Sequence, residues 1–141
     1  MFANFDFSKF PIVIVNFSEN IESNEDFQNF LDIWLSLYDD KKEFIFIFNT
    51  VNVGFPPIKY CFKMASFIKK IRRRNPQYLK RSIIIVKNQR VINLLNFIFF
   101  MQPPVAPVNL TYDSTEKILS ELDNVNIIKT INPRKQYIPF L

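Results

Sequence analysis

The sequence predicts a single α/β domain in which a mainly parallel sheet of four to five strands carries helices on both faces. Short apolar runs rich in β-branched and aromatic residues alternate along the chain with longer segments whose apolar residues recur every three or four positions. The chain has 141 residues, 48% of them hydrophobic, which is enough to bury one core. We therefore expect one domain over residues 1–131 and a C-terminal extension over residues 132–141.

Three apolar runs, residues 11–17, 44–48 and 82–86, are predicted to be central strands of the sheet. They are apolar almost without interruption, which is typical of strands that are covered on both faces. Residues 108–112 alternate between apolar and polar side chains and predict a fourth strand, and residues 125–131 predict a last one. Because predicted helices separate the strands, the strands are expected to run mainly parallel.

Four segments are predicted to be helices. The first begins at the polar cap Ser23-Asn24-Glu25-Asp26, which places two acidic residues in its first turn. The third covers residues 89–101 after the capping residue Asn88, and prolines end it. The fourth covers residues 114–122.

The second predicted helix begins after Pro56 and Pro57 and ends before Asn75 and Pro76, because the residue before a proline avoids the helical conformation. Its sheet-facing stripe is predicted to consist of Ile58, Cys61, Phe62, Ala65, Ile68 and Ile71. Cys61 is interpreted as a small core residue.

Several residue types that enzymes depend on are scarce in this chain. It contains no histidine, one cysteine and one glycine. These counts exclude Ser-His and Cys-His nucleophile pairs, histidine metal sites, cysteine zinc sites and glycine-rich phosphate loops. The adjacent carboxylates at positions 25–26 and 39–40 fall at a helix start and in a turn, where acids have structural roles. We expect a protein without catalytic activity, metal or cofactor.

Charge is distributed unevenly along the chain. Residues 1–43 hold nine acidic residues against three lysines, a formal charge of −6, whereas residues 44–112 hold eleven basic residues and no acid. A basic cluster around the end of the second helix is a candidate for binding an anionic surface; it consists of Lys69, Lys70, Arg72, Arg73, Arg74, Lys80 and Arg81. The alternative is a solvated helix end whose bases complement the helix C-terminus. Nucleic acid is a disfavoured partner, because the bases are not interleaved with aromatic residues on a known reading motif.

The third predicted helix is apolar on almost every side. Its inner side can pack on the sheet, so its outer side needs a lipid, a partner protein or the C-terminal segment as a cover. The residues predicted to contact a protein partner or a lipid there are Ile92, Phe97, Phe99 and Phe100. Self-association is one form that the protein contact can take.

The N-terminus lacks the basic segment and the clean apolar run of a secretory signal. The longest apolar stretch is well under the roughly 20 residues of a membrane-spanning helix. A cytoplasmic location is the expectation.

Two stretches resemble known domains. The first stretch consists of Asn75-Pro76-Gln77-Tyr78-Leu79, an isoleucine-rich strand over residues 83–86, Asn88 and an apolar helix ending in Gln102-Pro103-Pro104. It resembles CRAL-TRIO lipid-binding domains, and among them the BCH-type protein-interaction domains. The loop over residues 50–57 lies where STAS domains carry their regulatory loop. The resemblance implies the SpoIIAA-like α/β fold of both families and a non-enzymatic protein-interaction module, either a regulatory adaptor or a component of a larger assembly. Lipid or anionic-membrane binding is the alternative that it implies.

Overall fold

A computed structural model describes residues 1–122 and 135–139 of the chain. These residues form six strands and four helices in one sheet-based domain. The strands are β1 (Ala3–Asp6), β2 (Ile12–Phe17), β3 (Phe44–Asn49), β4 (Leu79–Ile85), β5 (Val108–Thr111) and β6 (Lys135–Tyr137). The helices are α1 (Asn24–Ser36), α2 (Ile58–Ile71), α3 (Gln89–Met101) and α4 (Thr115–Glu121). The α/β class predicted from the sequence is confirmed.

The sheet is mixed and wider than the four to five strands predicted. Its spatial order follows the chain, from β1 to β6. The central strands β2 to β5 run parallel, and the edge strands β1 and β6 are antiparallel to their neighbours. Strand β1 was not predicted from the sequence, although its four residues alternate between apolar and polar side chains as those of β5 do. The predicted strand over residues 125–131 lies outside the described residues.

The order of the parallel strands explains where the helices lie. Each of the three crossovers joins one strand to its immediate neighbour, and right-handed crossovers between successive neighbours put their helices on one face of the sheet. Core packing agrees, because buried residues of α1, α2 and α3 share one cluster with the sheet. Helix α4 packs on the opposite face, where Ile118 contacts a separate cluster that includes Ile14, Ile47 and Ile83.

The first five residues of β3, which begin at Phe44, show how aromatic and aliphatic side chains are distributed between the two faces of the sheet. Their order is Phe-Ile-Phe-Ile-Phe, and alternate residues of a strand point to opposite faces. Phe44, Phe46 and Phe48 accordingly join the cluster under α1 to α3, whereas Ile47 joins the cluster under α4. The run is apolar throughout, yet its aromatic rings lie on the face under α1 to α3 and its branched aliphatic side chains lie on the face under α4.

An aromatic cluster lies between the sheet and α1. Trp34 of α1 is 5% exposed, and its ring centroid lies 4.9 Å from that of Phe46, 5.6 Å from that of Phe48 and 5.3 Å from that of Phe67 on α2. Such tilted and edge-on pairs add about 0.5–1.5 kcal/mol each to the burial of the rings themselves. Trp34 therefore joins α1, α2 and β3.

The predicted helix starts are confirmed by their caps. Ser23 Oγ accepts a hydrogen bond from the Asp26 amide, and Asn88 Oδ1 accepts one from the Val91 amide. Each satisfies an amide that has no partner within the helix. The local sequence thus determines where α1 and α3 begin.

The predicted sheet-facing stripe of α2 is wrong at two positions. Ile58 is 62% exposed and Phe62 is 52% exposed, whereas Tyr60 and Phe67 are buried instead. The helix is turned so that Phe67 packs on Trp34 and the Tyr60 hydroxyl donates a 3.0 Å hydrogen bond to Asn24 Oδ1. Cys61, Ala65, Ile68 and Ile71 are buried as predicted.

Candidate functional site

The four residues of α3 predicted as contacts lie in different environments. Ile92 is 5% exposed and belongs to the main core, so it cannot meet a partner. Phe97 and Phe99 are partly buried. Phe100 is 87% exposed, and among the four it is the residue offered most fully to a partner. The difference follows from helical geometry, because Ile92 and Phe100 are eight residues apart and 80° round the helix axis.

The C-terminal segment covers one side of α3. The ring of Tyr137 in β6 packs on the ring of Phe99 with centroids 4.7 Å apart. The Tyr137 hydroxyl also donates a hydrogen bond to Asn96 Oδ1. Phe99 is therefore shared between the helix and β6, and the predicted contact surface is smaller than the sequence indicated.

A second set of apolar side chains lies on the outside of α2 and α3; four of its five members are exposed, and Phe97 is partly buried. We call it the outer apolar surface; it consists of Phe55, Ile58, Phe62, Phe97 and Phe100. Phe62 and Phe97 join the two helices, since their rings meet edge to face with centroids 5.8 Å apart. Ile58 lies one turn before Phe62, and Phe100 lies one turn after Phe97, so neighbouring members share a helix face.

Phe55 extends this surface from the loop that precedes α2. Its ring is 74% exposed, and the Arg90 guanidinium carbon lies 3.7 Å from the ring centroid. Arg90 belongs to the first turn of α3, so this cation–π contact ties the loop to that helix. The guanidinium covers one face of the ring and places a positive charge at the border of the outer apolar surface.

The sequence analysis missed Phe55, Ile58 and Phe62 as surface residues. Helix α2 contains two overlapping apolar patterns, and the pattern that was chosen started at Ile58. The alternative pattern, which runs through Tyr60, Met64, Phe67, Ile68 and Ile71, has the same helical spacing and includes two rings instead of one. Ring volume was the signal that favours it, because aromatic residues contribute the largest buried areas to a core.

The basic cluster lies beside the outer apolar surface. Lys69, Lys70, Arg73 and Arg74 are exposed, and Arg72 is partly buried. Lys59 and Lys63 extend the cluster along α2, with their ammonium groups 5.1 and 5.6 Å from the centroid of the Tyr60 ring. Among the described residues the salt bridges are Lys80 to Glu43 and Lys117 to Asp113. The charge of α2 is thus not neutralised by ion pairs within the described part of the chain.

Arg81 does not belong to this cluster, which corrects its prediction as an anion-binding residue. It is 5% exposed and is paired in register with Ile45 of β3. Strand alternation puts its side chain on the face that carries α4, away from α2. Its Nε and Nη1 atoms have no hydrogen-bond partner among the described residues. Burial lowers the pKa of the guanidinium, which still keeps its charge at physiological pH.

The loop predicted to match the STAS regulatory position offers no free hydroxyl at Thr50. This residue is 8% exposed, and its Oγ1 donates a 2.6 Å hydrogen bond to the Ile85 carbonyl oxygen. The hydroxyl therefore ties the end of β3 to the end of β4. Further along the loop, the Gly54 amide donates to the Glu19 carbonyl oxygen at 3.0 Å. This region connects strand ends and has the geometry of a structural loop.

Residues 1–122 and 135–139 contain no group of three or more His, Cys, Asp or Glu side chains placed to hold a metal ion. No helix in these segments has the length and the hydropathy needed to cross a membrane. Comparison of the chain with protein-family models, with curated proteins and with solved structures gave no significant match in any of the three.

Proposed function

We propose that this chain is a non-enzymatic interaction module that docks on a protein partner through the outer apolar surface. The observation that carries the proposal is the exposure of large side chains on two adjacent helices and the loop before α2, led by Phe100 at 87% and Phe55 at 74%. Single exposed apolar residues are common, but a group of them on one face is typical of an interaction site. Aromatic residues also contribute strongly to protein interfaces.

The charges around the outer apolar surface specify the kind of partner. Arg90 lies over the Phe55 ring, Lys63 follows Phe62 directly on α2, and no acidic residue occurs between positions 44 and 112. Charge complementarity therefore favours a partner with an acidic rim around an apolar centre. The lack of histidine and the single cysteine support a role in binding, because they remove the commonest nucleophile and base pairs. The proposal includes the STAS/CRAL-TRIO-like assignment, which rests on the sequence motifs.

The test compares a double variant with a matched control. Phe62→Ser with Phe100→Ser removes two rings of the outer apolar surface, and Phe7→Ser removes a ring that is 46% exposed in the turn between β1 and β2. Proteins captured by each immobilised variant from an extract of the source cells are identified, and the leading candidate is purified and titrated against all three chains. Removal of an anchoring ring typically costs about 2 kcal/mol or more, a factor of about 30 in Kd.

We expect the purified partner to bind the wild type and the Phe7→Ser variant equally and the double variant at least 30-fold more weakly. If the double variant binds every purified candidate as the wild type does, the outer apolar surface is not the docking site. The same variants in sedimentation velocity show whether the partner is a second copy of the chain.

An anionic membrane surface is the second candidate, and the basic face of α2 favours it. Its lysines and arginines have no acidic partner within the described residues, and each basic residue near an anionic surface contributes about 1 kcal/mol. Lysine is also depleted from the centres of protein interfaces, whereas it suits a lipid surface.

Flotation with phosphatidylserine vesicles at low salt tests this candidate. Lys63→Glu with Lys70→Glu is expected to abolish flotation, whereas Lys9→Glu with Lys42→Glu, which has the same net charge, is expected to retain it. Equal flotation with neutral phosphatidylcholine vesicles, or no flotation of the wild type, would rule out electrostatic membrane binding.

A further inference from the structure

An apolar cavity of about 140 Å³ lies between the sheet and the layer of α1, α2 and α3. Side chains from all three helices and from β3 and β4 line it, among them Trp34, Phe48, Cys61, Ile84, Val91 and Ile98. Part of its lining, including Ile21, Met64 and Val105, is partly exposed. None of the five residues of the outer apolar surface lines the cavity, so the two are separate.

The chemistry of the lining restricts what the cavity can hold. Thr50 is one of the few lining residues with a polar side chain, and its hydroxyl already donates to the Ile85 carbonyl oxygen at 2.6 Å. The Cys61 thiol is 3% exposed, and burial raises its pKa, so it stays protonated and neutral. No charged side chain lines the cavity. A carboxylate, phosphate or ammonium group would lose its hydration there without gaining a partner.

The volume restricts the size of an occupant. An engineered cavity of about 150 Å³ lined by leucine, isoleucine and phenylalanine stays dry and binds benzene or xenon. Well-packed cores contain few voids larger than a water molecule, so a space of this size in a small domain departs from normal packing. Its lining residues lack contacts that a ligand of matching shape would supply.

We propose that this cavity is a binding site for an uncharged, compact hydrocarbon group of about six carbon atoms. The group can be a small apolar molecule or the apolar end of a larger one. This site is independent of docking through the outer apolar surface, since the two share no residue. A ligand that binds only the folded chain stabilises it by mass action.

Cys61 makes the proposal directly measurable. It is the chain's only cysteine, and it both lines the cavity and is buried. A thiol reagent reaches it only when the domain opens locally, and a ligand that holds the cavity closed lowers the population of the open state. The labelling rate of Cys61 therefore reports on occupancy in the wild-type chain without any substitution.

The experiment uses benzene as the probe, with two readouts on the wild type. At a benzene concentration ten times its Kd, we expect a rise in Tm of about 4 °C and a labelling rate of Cys61 that is about ten times lower. A saturable dependence of both readouts on benzene, with the same Kd, supports the proposal. No change in Tm and no change in labelling rate up to the solubility limit of benzene would overturn it.

Two variants at Cys61 separate the cavity from other benzene sites. Cys61→Met fills part of the cavity and is expected to raise Tm and to remove the rise in Tm caused by benzene. Cys61→Ala keeps the cavity open, so benzene is still expected to raise the Tm of this variant. If both variants respond to benzene as the wild type does, benzene binds elsewhere and the assignment is wrong. If Cys61→Met does not fold, the labelling experiment on the wild type decides alone.

Discussion

Arg81 gives the sharpest test of how the sheet is stabilised. Its side chain is 5% exposed on the face of the sheet that also carries Ile45, Ile83 and the buried Asn109, and its Nε and Nη1 atoms have no partner within the described residues. A buried polar group without a hydrogen bond costs about 1–3 kcal/mol. A buried charge that is replaced by an apolar side chain of similar volume often leaves a protein equally stable or more stable.

We therefore expect Arg81→Met to stabilise the domain. Methionine keeps the unbranched aliphatic part of the side chain and removes the charged group, so the expected gain in the free energy of unfolding is about 1–3 kcal/mol. For a chain of this length that gain raises Tm by about 3–10 °C. Urea unfolding of the wild type and the variant, followed by circular dichroism, measures the difference, provided that the slope with urea is unchanged.

Arg81→Lys is the matched control. It keeps a buried positive charge while changing the hydrogen-bonding geometry, so it is not expected to stabilise the domain. A loss of more than 1 kcal/mol in Arg81→Met would refute the reasoning, because it would mean that the guanidinium makes a favourable interaction in the folded chain.

Two further outcomes follow from single hydrogen-bonded side chains. Burial raises the pKa of Tyr38 to about 12, and its hydroxyl donates to Gln77 Oε1. Because the folded chain holds this proton more tightly than the unfolded chain, its contribution to stability is expected to be complete below pH 10 and to be lost between pH 10 and 12. Measurements of tyrosine absorbance and of Tm across this pH range test the expectation. The Asp26 carboxylate accepts hydrogen bonds from the amides of Phe2 at 2.8 Å and Glu22 at 3.2 Å. Asp26→Ala is therefore expected to lower the free energy of unfolding in urea by about 1–3 kcal/mol and to raise amide exchange in β1. Unchanged exchange in β1 would mean that this contact does not stabilise the strand.

Local signals in the sequence were enough to predict much of the fold. Ser23 and Asn88 have the side-chain chemistry of helix caps, and both make the expected bonds. The β3 run is too short and too rich in β-branched and aromatic residues to be a helix. In each case the information lies within a few residues, so it can be read without knowing the rest of the chain.

What the sequence did not predict depends on contacts between distant residues. The rotation of α2 about its axis follows from the packing of Phe67 on Trp34, which leaves Phe62 exposed to solvent. The cover over Phe99 comes from Tyr137, which is 38 positions further along the chain. Arg81 was grouped with its basic neighbours because they are adjacent in sequence, but alternation along β4 separates it from them. The candidate surface was therefore only partly predictable.

The separation of ring and aliphatic side chains between the two faces has a consequence for spectroscopy. Trp34, the chain's only tryptophan, lies among rings on the face under α1 to α3. The cluster around Ile118 on the other face contains only isoleucine, leucine and valine among its described members. Fluorescence and near-ultraviolet dichroism will thus follow one half of the domain and give no signal when α4 alone detaches. Methyl-resolved magnetic resonance is the method that would detect the opening of that second half.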